Sequence, residues 1–175
     1  MGMQRRPMAS QAGFTMIELL TVVSIAAILA AVGIPSLLDT VRSAQLRSAT
    51  SSLYDALLVA RSEAVKRNAQ VDVQPGTTCV NPATSNNASW TGGWSVQLAG
   101  CSTILQQFPA TTNITITAVP GAGISYLPTG RITTTSASSF DFKSTKSATI
   151  PERCVVISAS GQPSIRTGAA SSACS

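Results

Sequence analysis

Apolar residues run almost unbroken from Phe14 to Leu38, FTMIELLTVVSIAAILAAVGIPSLL. No charge occurs from Leu19 to Leu38, about the 20 residues that a helix needs to cross hydrocarbon. The pattern then changes to a narrow stripe. Leu46, Leu53 and Ala60 recur at heptad spacing, and Ala49 or Thr50, Leu57 and Ala64 interleave with them. Arg42, Arg47, Arg61, Lys66 and Arg67 lie mostly off this stripe. Such periodicity predicts a helix from Asp39 to about Ala69 with one apolar face. The two stretches together read as one helix of about 50 residues, its first half in a membrane and its second half packed on a soluble domain. Gly33 and Pro35 interrupt the run, and proline removes a helical hydrogen bond, so a kink or short melted segment is expected there.

From Val71 onward the period shortens. QVDVQ, WSVQLA, STILQQF, NITITAV, ISYL, SFDFK, RCVVIS and PSIRTG read as strands, separated by the turn formers PGTT, TGG, PGAG, PTG and SGQP. The fold class is therefore α+β, with a long N-terminal helix packed on an antiparallel β-sheet domain. The expected divisions are a leader at 1–13, a membrane-spanning helix at 14–38, an amphipathic continuation at 39–69 and a β-rich head at 70–175. Residues 81–93 read as a surface loop. Trp90 and Trp94 flank a Gly-rich turn, and one is expected in the core and the other partly exposed.

Charge is sparse and uneven. The chain carries a formal +5 with no histidine. Arg5 and Arg6 fall in the first thirteen residues, which hold no acid. Without that leader the excess drops to about +3, too little by itself to argue for nucleic acid. The acids beyond the helix, Asp72, Asp141 and Glu152, are scattered, and the commonest general base is missing, so catalysis finds no support. Cys79, Cys101, Cys154 and Cys174 form no CxxC pair. Neither a zinc site nor any other metal or cofactor is expected. Two disulfides in an oxidising compartment fit better. Of the three pairings, neighbours in sequence are favoured, Cys79–Cys101 and Cys154–Cys174.

Glu18 is the one acid inside the apolar run, a costly place for a charge unless something pairs with it. It follows Gly13-Phe14 closely. A secretory signal places its small-residue junction after a short apolar region. Here the junction comes first, which implies that the basic leader is removed and the apolar helix kept. By the positive-inside rule Arg5 and Arg6 stay cytoplasmic and the head faces the periplasm.

Basic leader, Gly13, Phe14 and Glu18, followed by an apolar helix with a proline near its twenty-second mature residue, resemble a type IV prepilin. The resemblance implies the pilin fold, a single-pass inner-membrane anchor, and later a place in a filament. It implies that a prepilin peptidase cuts after Gly13 and N-methylates Phe14. It also implies that Glu18 is an assembly residue, pairing with the N-terminal ammonium of a neighbouring subunit's Phe14. Ala60-Arg61-Ser62-Glu63-Ala64-Val65-Lys66-Arg67, leading straight into a strand, is similar to the GspH/FimT group of minor pilins and pseudopilins. Gly92-Gly93-Trp94 and Pro128-Thr129-Gly130-Arg131 resemble that group's sheet motifs.

The resemblance leaves three functions open. The favoured one is a minor type IV pilin of the FimU/FimT branch, helping to initiate pilus assembly in a tip or priming complex. Its partners would be other pilins, met through the N-terminal helix and the head. The second is a GspH-like pseudopilin of type II secretion. The third is a DNA-binding pilin for DNA uptake, with Arg131, Lys143, Lys146, Arg153 and Arg166 as a phosphate-binding patch. DNA is the less favoured partner. Where DNA-binding members resemble one another in a Gly-Arg-x-Arg motif, this chain has Gly161-Gln162-Pro163-Ser164-Ile165-Arg166. The sequons at Asn113-Ile114-Thr115 and Asn87-Ala88-Ser89 are read as coincidence.

Overall fold

The computed structural model describes residues 13–79, 89–119, 123–133 and 138–168, with the side chains of residues 32 and 34–36 excepted. Residues 1–12 of the expected leader 1–13, most of the 81–93 loop with its Asn87 sequon, and Cys174 lie outside the described residues. The chain divides into two units, residues 1–38 and 39–175.

Helix α1 runs from Met16 to Arg67. In the first unit its apolar side chains are exposed, Phe14, Ile17, Leu20 and Val23 among them. The hydroxyls in this stretch are satisfied locally. Thr21 Oγ1 donates to the Ile17 carbonyl at 2.7 Å, and Ser24 Oγ to that of Leu20 at 2.8 Å. Such back-bonding leaves no orphan hydroxyl if the surroundings become apolar. The helix continues through Gly33 and Pro35, so of the two sequence expectations the melted segment does not form. Proline's fixed φ is itself helical, so the penalty is local, about 3 kcal/mol, and long helical stretches flank it on both sides.

In the second unit the expected stripe is the buried face. Leu46, Ala49, Thr50, Leu53, Ala56, Leu57, Ala60 and Ala64 are all buried. Four of them are alanines, which lets the sheets approach the helix backbone closely. The helix ends in a Schellman motif, with Asn68 at φ 50° and the Ala69 amide bonded to the Ala64 carbonyl at 3.2 Å.

The eight expected strands form. They are β1 (Val71–Pro75), β2 (Trp94–Leu98), β3 (Ile104–Phe108), β4 (Ile114–Val119), β5 (Ile124–Tyr126), β6 (Ser138–Ser144), β7 (Glu152–Ile157) and β8 (Pro163–Gly168). Two four-stranded antiparallel sheets result. Sheet A has the order β3-β2-β1-β5, and sheet B the order β4-β6-β7-β8. One core joins the helix to Val71, Val73, Val96 and Ile124 of sheet A and to Ile116, Phe140, Phe142 and Val155 of sheet B. Both tryptophans belong to it, at 2% and 1% exposure, so neither is partly exposed as the sequence predicts. Trp90 sits on a short 3-10 turn, Trp90–Gly92, and meets Phe140 edge-on at 4.6 Å. Trp94 stacks on Phe108 at 5.8 Å. The end of the expected surface loop is thus an anchor that pins the β1–β2 connection to sheet B.

Candidate functional site

Residues 13–15 precede the helix and are not helical, so the Gly13–Phe14 peptide bond lies in accessible backbone. Phe14 is 83% exposed, and a Cβ added at Gly13 would meet no atom within 4 Å. Thr15 caps the helix. The Glu18 amide donates to Thr15 Oγ1 at 3.3 Å, and the Leu19 amide to the Thr15 carbonyl at 3.1 Å. Thr15-x-x-Glu18 is the spacing of a capping box, a pattern present in the sequence that the reading of Glu18 as a charge anomaly passed over. A carboxylate in the first turn also suits the positive end of the helix. Among the described residues Glu18 is exposed and makes no ion pair within the chain.

The stretch Ala60–Arg67 also resolves residue by residue. Ala60 and Ala64 face the core. Glu63 pairs with Lys66 at 3.5 Å and with Arg67, whose guanidinium holds the Glu63 carboxyl below its ordinary range. Arg61 crosses to the sheets. Its Nε donates to the Gly130 carbonyl at 3.0 Å and its Nη2 to that of Ser160 at 3.5 Å. Those carbonyls belong to two turns of one design. In Leu127–Arg131 the Leu127 amide bonds to Arg131 O and the Gly130 amide to Leu127 O, both at 2.8 Å. In Ser158–Gln162 the equivalent bonds are 3.1 and 2.8 Å. Each places glycine in the left-handed region, Gly130 at φ 74° and Gly161 at φ 82°, as three-residue hairpin loops require. The turns touch, because a Cβ on Gly161 would lie 2.2 Å from the Gly130 oxygen.

Of the five basic residues expected as a patch, Lys143 and Lys146 line one hollow at the end of β6, whereas Arg153 shares no sheet face with Arg166. Arg131 follows the sheet A turn and Lys146 the end of β6. Asp141, Cys154 and Arg166 are register neighbours across β6, β7 and β8, and so share the outer face of sheet B. Arg153 aligns with Phe142 and Thr167, and so points to the opposite face. Lys143 is bound to Glu152 at 3.1 Å. Acid therefore stands among the bases. Burial, then the Glu152 charge, push the Asp141 carboxyl up against the opposing pull of Lys143.

Cys79 and Cys101 are disulfide-bonded with Cα atoms 5.5 Å apart, as expected. Cys154 is disulfide-bonded as well. Its expected partner, Cys174, lies outside the described residues.

A prepilin-like junction ahead of an apolar helix, carrying an α+β head, defines the class of pilin-type subunits. The family model for the type II transport protein GspH matches residues 49–161, and the prokaryotic N-terminal methylation motif matches residues 8–34. The chain belongs to the GspH family, and is a structural minor pilin or pseudopilin rather than an enzyme. The minor pilin FimU of Pseudomonas aeruginosa has a similar fold in two crystal forms. The first superposes at TM-score 0.56 with 20% identity, covering 69% of this chain and 87% of FimU. The second does so at 0.55 with 18% identity, covering 68% and 90%. The minor pseudopilin EpsH of Vibrio cholerae matches at 0.49 with 14% identity, covering 73% and 98%. No curated protein sequence matches. Among the described residues no helix is long and apolar enough to cross a membrane. The expected span, 14–38, includes the four residues whose side chains are not described. The methylation motif nonetheless implies processing by a prepilin peptidase, anchoring in the inner membrane and assembly with other pilins.

Proposed function

We propose that this chain is a minor type IV pilin that helps initiate pilus assembly in a tip or priming complex with other minor pilins. The observation that carries the reading is the N-terminal junction. An accessible Gly13–Phe14 bond leads into a capped apolar helix, and among the described residues its one carboxylate has no ion-pair partner in its own chain. Cleavage after Gly13 creates an ammonium on Phe14, with Glu18 about one helical turn further on. In a bundle of such helices Glu18 meets the Phe14 ammonium of a neighbour. Removing one member of a buried ion pair strands the other charge at a cost of about 3–5 kcal/mol, so the pair sets register. The FimU-like fold supports the pilus branch. The family model's own description supports a second reading, a GspH-like pseudopilin of type II secretion.

Deleting the gene and restoring it separates these. Loss of surface pili with secretion intact supports the first reading, and loss of secretion with pili intact the second. In the restored strain Gly13→Val is expected to leave an uncut precursor on a gel. Among the described residues a Cβ added there meets no atom, so a block reports on the peptidase and not on folding. Glu18→Ala is expected to be cut normally but to fail to support assembly. Normal piliation with Glu18→Ala would remove the assembly role.

A further inference from the structure

The loop that follows β6 ties the head to the place where the apolar run ends. Thr149 Oγ1 donates to Asp39 Oδ2 at 3.5 Å, and the Ser147 and Thr149 hydroxyls are hydrogen-bonded at 2.8 Å. Asp39 is the first residue of the second unit, one peptide bond beyond Leu38. Ser147 in turn lines a hollow of about 470 Å³ together with Thr115, Lys143, Thr145 and Lys146. The Thr145 amide donates to the Asn113 carbonyl at 3.0 Å, which fixes the start of this loop against the entry to β4.

The charge that the hollow presents outward is positive. Glu152 holds Lys143 at 3.1 Å, but only 7% of the Glu152 side chain is exposed, against 60% of Lys143. Asp39 is matched by Arg42 at 3.0 Å. Lys146 is exposed and makes no ion pair among the described residues. Two ammonium groups and three hydroxyls are donors suited to phosphate oxygens. If the apolar run spans a bilayer, the headgroup layer begins where that run ends and extends several ångströms further. An anionic surface attracts basic side chains within a Debye length, about 8 Å in physiological salt. We propose that Lys143 and Lys146, with the hydroxyls of Thr115, Thr145 and Ser147, bind the phosphate of an anionic phospholipid and so hold this end of the head on the bilayer before assembly. Such a contact needs the membrane anchor, and is the same whether the subunit serves a pilus or secretion.

Arg131 supplies a control. It lies in the joint gripped by Arg61, and Arg61 stands about 33 Å along the helix from Asp39. The full chain is reconstituted in nanodiscs of phosphatidylcholine alone or of an equal mixture with phosphatidylglycerol, and amide hydrogen exchange is followed by mass spectrometry. Residues 145–150 are expected to exchange several-fold more slowly in the mixed discs, and high salt to abolish the difference. Lys146→Gln breaks no ion pair among the described residues. It is expected to weaken the phosphatidylglycerol effect about fivefold, the worth of one base near an anionic surface. Arg131→Gln, an equal loss of charge, is expected to leave the effect unchanged. Equal exchange in the two discs, an undiminished effect in Lys146→Gln, or an equal loss in Arg131→Gln overturns the site. So does slowing by inorganic phosphate or duplex DNA in the neutral discs with none from phosphatidylglycerol. A chain that fails to enter the discs at all overturns the anchor, and this contact with it.

Discussion

Arg61 is a charged side chain whose partners are both backbone carbonyls, one on each of two turns. Hydrogen bonds from charged donors are worth about 1.5–3 kcal/mol when well formed, and the second of these is long and exposed. Arg61→Ala is therefore expected to lower stability by about 2 kcal/mol in urea unfolding. Arg61→Lys should recover little of this, because an ammonium is a point donor and lacks the fork that reaches two acceptors. Side-chain roles of this sort were only partly legible beforehand. The Ala60–Arg67 stretch carries the family resemblance, yet nothing in it announces that Arg61 grips Gly130 and Ser160. Thr15 as a cap was legible, since Thr-x-x-Glu stands in the sequence. The tryptophans misled because Gly92 and Gly93 between them read as an exposed loop, whereas here those glycines let the chain turn tightly enough to drive both rings inward.

At the scale of elements, alternation made β4 and β6 readable, because a half-buried strand must place apolar residues at period two, and turn formers between short apolar runs marked the others. Sheet membership was not readable. The chain leaves sheet A after β3, returns for β5 alone and leaves again, and local pattern does not encode such exchanges. Which face a residue takes needs register too, which is why Arg153 and Arg166 look like neighbours in a patch and stand on opposite faces. The disulfide closes the segment after β1 onto the 3-10 turn Ala99–Cys101. Replacing Cys79 and Cys101 together by serine is expected to cost about 3 kcal/mol by loop entropy, read from denaturant midpoints. The outer face of sheet B makes stability depend on pH through Asp141. Its carboxyl titrates above the ordinary 3.8 when folded, so the folded chain holds this proton more tightly than the unfolded one. The stability it lends is complete below 3.8 and is lost as pH rises through the raised value. Glu63 has the opposite sign, losing its contribution as pH falls below 4.5 through its lowered value. The comparison must therefore be between parent and Asp141→Asn. Unfolding from pH 3 to 7 is expected to show the variant gaining on the parent as pH rises.

For the whole molecule, a formal +5 and a pI near 9.4 invite a nucleic-acid reading. Much of that excess is dispersed: Arg5 and Arg6 precede the junction, Lys143 is tied to Glu152, and the remaining bases are split between faces. The full chain in detergent is expected to give no retained DNA band even at low salt. A salt-sensitive band that disappears when Arg153 and Arg166 are both replaced by alanine would restore the DNA-uptake reading.

The paired turns bear on how this head can be engineered. Hairpin tips are the usual places to insert a tag, an epitope or a reporter. Leu127–Arg131 and Ser158–Gln162 look like two such tips, one on each sheet. They are two halves of a single joint, closed by Gly161 against Gly130 and bolted by Arg61. A graft into either loop would prise the sheets apart at that end, so cargo belongs elsewhere on the head.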